Sequence, residues 1–135
     1  MVQAMITLEQ YFRGRPHSPV QEEAALELLA KVNCLLDEFR LSGGEVPINP
    51  HTGSMISGLT EGGFRMPECV QGASMSSHKE AKGVDITDPK NELDAWITRK
   101  VLEKYNLYRE AEQYTQKWVH LQTRVPKSGC RSFAP

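Results

Sequence analysis

In the stretch SSHKEAKGVDI, His78 stands seven residues before Asp85, and His120 lies well downstream inside WVHLQ. Two imidazoles and one carboxylate make a metal-ligand set. Three protein ligands plus an open position is the arrangement of a catalytic zinc, with bonds of about 2.0–2.1 Å. Asp85 lies between Val84 and Ile86, and His120 between Val119 and Leu121, so both polar groups interrupt apolar strand sequences. A carboxylate on a buried strand face is costly unless something pairs with it. A metal ion is one such partner. Arg65 or Lys82 is another, and a backbone carbonyl can satisfy a strand histidine, so residue types alone leave both readings open.

Capping signals and periodicity indicate the elements that must hold these residues. TLEQ at 7–10 can form a capping box for a short helix ending near Arg13. SPVQ at 18–21 adds a proline at the first helical position. Ala25, Leu28, Leu29, Val32, Leu35, Leu36 and Phe39 then recur at helical spacing, with Glu27, Lys31 and Glu38 on the other face. Cys34 falls within this pattern and reads as a small core residue. Gly43 and Gly44 end the helix.

From Glu45 to Ser77 the sequence turns to Gly, Pro and Ser without helical period, as functional loops and hidden short strands do. GVDI reads as a strand. Asp88 and Pro89 read as the cap and first residue of a helix whose inner stripe is Leu93, Trp96, Ile97 and Val101. A helical turn is expected around Tyr108–Gln113. KWVHLQTRV, 117–125, alternates as a strand should, with Trp118, His120 and Gln122 on one face. After Pro126 the tail KSGCRSFAP has no pattern beyond loop. These elements predict one α+β domain over 1–135, helices packed on a small antiparallel sheet. The N-terminal helices fall within 1–42, the metal-site region within 57–125 and an extended tail within 126–135.

Bulk properties exclude several functions. A net charge of −1 over 135 residues, with no stripe of Lys and Arg, gives no electrostatic footprint for nucleic acid. No apolar run reaches the roughly 18–20 residues that span a bilayer. MVQAMITLEQYF lacks the basic and apolar regions of a secretory signal, which predicts synthesis in the cytoplasm without an export signal. Cys34, Cys69 and Cys130 form no CxxC pair and read as reduced thiols.

SSHKEAKGVDI, the upstream SGLTEGGFR and the downstream WVHLQ together resemble the zinc D-alanyl-D-alanine peptidases and phage L-alanyl-D-glutamate endolysins, whose zinc fold is shared with the hedgehog signalling domain. The family pattern is Ser-x-His-x-x-Gly-x-Ala-x-Asp followed by a distant histidine on a strand. Ser76, His78 and Asp85 fall on it, Ala81 and Gly83 hold its two small positions in exchanged order, and His120 matches the last ligand. The resemblance runs over roughly 57–133 and is most like the small phage and prophage members. It implies a hedgehog/DD-peptidase-like fold and one zinc per chain on His78, Asp85 and His120. It also implies a hydrolase acting on peptidoglycan stem peptides, as a carboxypeptidase or endolysin. Arg65 would clamp substrate or developing negative charge. Ser76 would support the His78 loop, and Trp118 and Gln122 would support His120 from its own strand face. The implied partners are the cell wall and other phage proteins, and the implied location is the virion or release at lysis.

One departure concerns the general base. In the family a Glu or His sits two or three residues before the final histidine; here those places hold Lys117 and Trp118. An ammonium has no acceptor and an indole only donates. Glu61, Glu80, Glu110 and Glu112 carry no motif and read as solvated surface carboxylates, so the base is unassigned. Two expectations follow: a zinc peptidase, or a catalytically inactive zinc-binding module of structural or cell-wall-binding kind.

Overall fold

Both capping boxes form. In the computed structural model, which describes residues 5–68 and 76–135, Thr7 caps helix α1, Leu8–Phe12, and Ser18 caps helix α2, Pro19–Leu41. In each box the side-chain oxygen accepts from the N3 backbone N–H while the N3 Gln reaches back to the cap. The α2 stripe from Ala25 to Phe39 is buried as its spacing predicts. Cys34 is the exception. It sits on the exposed side of α2, because residues 32, 35, 36 and 39 already fill the inward arc. Cys130 is exposed, and Cys69 lies outside the described residues.

Four strands form the sheet: β1 Gly83–Thr87, β2 Tyr108–Glu110, β3 Trp118–Gln122 and β4 Ser132–Phe133, in the order β1-β3-β2-β4. β3 pairs antiparallel with β1 and β2, but β4 runs parallel to β2, so the sheet is mixed rather than antiparallel. Two expectations are corrected here. The segment at 108–110 is a strand, with a helical turn only at Glu112–Tyr114, and the C-terminal tail is not all loop. Tyr108–Glu110 is too short for a periodicity to show, and β4 is two residues long.

The helix expected from Asp88 also shifts. Pro89 lies in a turn, and helix α3 is Glu92–Trp96. Asp88 still caps it, from further upstream: its carboxylate oxygens accept from the backbone N–H groups of Leu93 and Asp94 at 3.0 and 2.9 Å. Ile97 is extended and separates α3 from helix α4, Arg99–Tyr105, which Thr98 caps.

The sheet divides the molecule chemically. Val84, Ile86, Val119 and Leu121 are buried among the core residues that α2 also supplies, including Leu28, Val32, Leu35 and Leu36. Strand alternation sends Asp85, His120 and Gln122 to the other face. That face is covered by a 3₁₀ turn, Ser77–Glu80, and by the loop that leads to Arg65. Residues 55–62 run along the free edge of β1. Thr87 N–H donates to Met55 O, Ser57 N–H to Asp85 O, and Asp85 N–H to Gly62 O, at 2.8–2.9 Å. The short strand hidden in the Gly- and Pro-rich stretch is this edge contact, centred on the Ile56–Ile86 bridge. Among the described residues no helix is long and apolar enough to cross a membrane.

Candidate metal centre

Each of the three candidate ligands is placed by a different element. His78 lies in the 3₁₀ turn, whose N-cap is Ser76; the Ser76 hydroxyl accepts from His78 N–H at 3.2 Å. Asp85 and His120 are paired across β1 and β3. Tyr11 of α1 ties these parts together. Its hydroxyl donates to Gly83 O at 2.8 Å, and its carbonyl accepts from Phe64 N–H. Burial raises the Tyr11 hydroxyl far above its ordinary pKa, so it stays a donor.

The small positions have steric reasons. A Cβ at Gly83 would collide with Ser77 Oγ and stand 3.0 Å from His120 Cε1. Glycine is required there because the 3₁₀ turn presses against the strand. Ala81 closes that turn with φ of 60°, in the left-handed region that favours glycine. Glycine at 83 therefore relieves a crowded site, while alanine at 81 takes a strained conformation.

All three ligands are buried: His78, Asp85 and His120 are 3%, 5% and 7% exposed. Their ligand atoms converge within 4.8 Å of one another, an arrangement that could hold a metal ion. Asp85 Oδ1 lies 3.2 Å from His78 Nε2 and 2.9 Å from His120 Nδ1. The other nitrogen of each ring is already committed. His78 Nδ1 stands 2.8 Å from Gly63 O, which only accepts, so Nδ1 carries the proton. His120 Nε2 stands 2.6 Å from Gln122 Oε1, and Gln122 Nε2 donates to Arg124 O at 2.7 Å. When both rings are neutral, these bonds aim lone pairs from His78 Nε2 and His120 Nδ1 at a carboxylate oxygen. Acceptors facing one another repel unless a cation, a proton or a metal ion, stands among them. The donor set fits a divalent metal: two imidazoles and a carboxylate, each oriented by a hydrogen bond behind it.

The ionisation of these groups follows from the same geometry. Burial would raise the Asp85 carboxyl, but the two imidazoles outweigh it and hold the group well below the usual carboxylate range. Burial lowers His78. His120 is disfavoured by burial too, yet the hydrogen bond and charge of Asp85 win and its pKa is raised. Arg65 Nη2 approaches the outer oxygen, Asp85 Oδ2, at 3.6 Å, while Arg65 Nε donates to Glu61 O at 2.7 Å. The Arg65 partnership anticipated as an alternative to metal is thus present, and it leaves Asp85 Oδ1 for the histidines.

Glu110 is the residue that sequence reasoning passed over. β2 and β3 pair Tyr108 with Gln122 and Arg109 with Leu121, so the next rung sets Glu110 opposite His120. Asp85, His120 and Glu110 thereby form one row across three strands on one face. Glu110 is half-buried, not a solvated surface carboxylate. Burial and the charge of Asp85 raise its pKa, against the opposing pull of His120 and Arg65. The signal was a Tyr-Arg-Glu segment too short to read as a strand. Lys117 is exposed and in the left-handed region, with φ of 70°, one residue before β3. It lies outside the strand and exposed to solvent, not in the buried row that carries His120. Trp118 shares the His120 face two residues earlier on β3, opposite Thr87. Glu61, Glu80 and Glu112 are outside the row; Glu80 pairs with Arg124 at 3.1 Å.

A cleft of about 990 Å³ lies elsewhere, between α3–α4 and the C-terminal segment, with Asp94, Arg109, Glu112 and Arg131 in its lining. Arg109 there is paired with Asp94. No protein-family model, curated protein or solved structure matches this chain.

Proposed function

We propose that this protein is a zinc-dependent peptidase of hedgehog/DD-peptidase-like fold, acting on peptidoglycan stem peptides. The observation that carries the reading is the convergence of His78 Nε2, Asp85 Oδ1 and His120 Nδ1, with Glu110 on the adjacent strand. The N···O separations of 3.2 and 2.9 Å approach the roughly 3.3 Å edge of a tetrahedron with bonds of about 2.05 Å. Two nitrogen donors and one carboxylate favour zinc over calcium or magnesium, which prefer all-oxygen shells. When bound, the metal would acidify water and polarise a carbonyl oxygen.

The chain's own residues supply the rest. Glu110, half-buried on the strand beside His120, would accept a proton from water and later return it to the leaving amine. Burial and the charge of Asp85 raise its pKa, the direction a general base requires. Arg65, beside the outer oxygen of Asp85, would stabilise negative charge developing on the substrate. Gly63 O and Gln122 hold the two imidazoles in orientation. The peptide substrate follows from the motif resemblance, as do a cell-wall or phage-particle setting and release at lysis.

A second reading is an inactive module in which metal only ties the His78 turn to β3. The burial of all three ligands favours it. Turnover of stem peptides by the zinc-loaded protein separates the two. The peptidase reading expects cleavage that Glu110→Gln abolishes with zinc retained. Zinc binding without cleavage of any stem peptide establishes the module.

A further inference from the structure

We propose that Gln122 is the positioning residue that makes His120 a ligand through Nδ1, and that the metal group loses affinity without its amide oxygen. The inference rests on the metal reading above. A neutral imidazole carries its proton on either nitrogen, and here the two tautomers have opposite consequences. With the proton on Nδ1, His120 donates to Asp85 Oδ1 at 2.9 Å and closes the site as an ordinary His–Asp hydrogen bond. With the proton on Nε2, the Nδ1 lone pair faces the ligand cluster.

Among the described residues, Nε2 has Ser77 and Gln122 as hydrogen-bond partners. Ser77 Oγ, at 3.3 Å, decides nothing, because a hydroxyl donates as readily as it accepts. Gln122 Oε1, at 2.6 Å, only accepts. Gln122 cannot turn its amide over without setting its oxygen against the Arg124 carbonyl, to which its NH₂ now donates at 2.7 Å. Gln122 is 2% exposed, so water does not substitute for either partner. Strand alternation explains why this residue does it: Gln122 is two positions beyond His120 and projects from the same face of β3. The same arrangement disables the Ser77–His120–Asp85 alignment as a nucleophilic relay, since a protonated Nε2 is no base for the hydroxyl.

Two variants separate positioning from packing. Gln122→Met removes the acceptor at similar length. Gln122→Glu keeps an oxygen toward Nε2 but gives up the N–H bond to Arg124 O. Zinc affinity is read by competition with a chromophoric chelator, the His120 tautomer by ¹⁵N NMR of the zinc-loaded protein, and folding by thermal unfolding. The expected result is a loss of about 10- to 100-fold in zinc affinity for Gln122→Met, with a changed His120 signature, and much less loss for Gln122→Glu. Wild-type affinity in Gln122→Met, or equal losses in both variants with the tautomer unchanged, overturns the inference. If Gln122→Met does not fold, the wild-type spectrum decides, and a His120 protonated on Nδ1 overturns it. Failure of the wild type to take up zinc overturns the metal reading itself.

Discussion

Glu110 and His120 stand opposite each other on neighbouring antiparallel strands, one rung beyond the Arg109–Leu121 pair. Cross-strand partners project from the same face and lie about 4.5–5.5 Å apart at Cβ. A carboxylate delivered by the adjacent strand can therefore replace one delivered two or three residues earlier on the histidine's own strand. In the proposed peptidase, Glu110 would be the base that Lys117 and Trp118 do not supply.

Glu110→Gln should lower turnover of stem peptides by about 10²- to 10⁴-fold while zinc content stays at the wild-type level. Lys117→Glu should leave turnover unchanged, because that position is exposed, lies before β3 and has left-handed backbone. Single-turnover assays on both variants check this. A rescue of rate by Lys117→Glu would place the base on β3 instead.

Metal removal should destabilise the fold, because the ligands join the His78 turn to β1 and β3. Zinc held at about 1,000 times its dissociation constant adds about 4 kcal/mol. Chelator should lower the melting temperature of the wild type and zinc should restore it. His120→Ala should respond to neither. Equal chelator sensitivity in the variant would locate the metal elsewhere.

Two positions at the ends of the paired strands, Gly83 at the start of β1 and Lys117 just before β3, make opposite demands. Gly83→Ala should be destabilising, since its methyl meets Ser77 Oγ and the His120 ring, both buried. Lys117→Gly should stabilise by about 0.5–1 kcal/mol, since Lys117 is exposed with φ of 70°. Denaturant unfolding of each variant tests the pair. A neutral Gly83→Ala would show that the turn is free to move away from the strand.

His17 gives a pH dependence away from the site. Its Nδ1 lies 2.9 Å from Arg15 O and its Nε2 3.2 Å from Glu22, and its ring stacks on Phe12. The Arg15 carbonyl and Glu22 raise its pKa above the ordinary 6.5. A raised folded-state value means a contribution fully present below the unfolded pKa and lost as pH rises through the folded one. Stability should therefore fall slightly as pH climbs past about 6.5, and His17→Gln should flatten that slope. An NMR titration placing His17 at or below its ordinary value would contradict this.

The legible parts of the sequence were those with long periods or complete local signals. The α2 stripe, both capping boxes and the alternation of β3 each involve several residues repeating one rule. What escaped had no such repetition. β2 and β4 are three and two residues long, and only pairing to β3 and to each other makes them strands. Glu110 became visible through that pairing alone. Cys34 was misplaced because a helical stripe admits a neighbour at its border, and packing decides which side of the border it takes. The three ligands were legible as types at a spacing. The Gly63 carbonyl and the side chain of Gln122, which fix their tautomers, are tertiary facts.

The central claim is that His78, Asp85 and His120 form a zinc centre. Elemental analysis of untagged protein, purified without chelator and reconstituted with zinc, tests it most directly. The account predicts about one zinc per chain in the wild type, consistent with a single three-ligand group, and none in His120→Ala. A wild type that takes up no zinc, or a His120→Ala variant that keeps it, would contradict the claim.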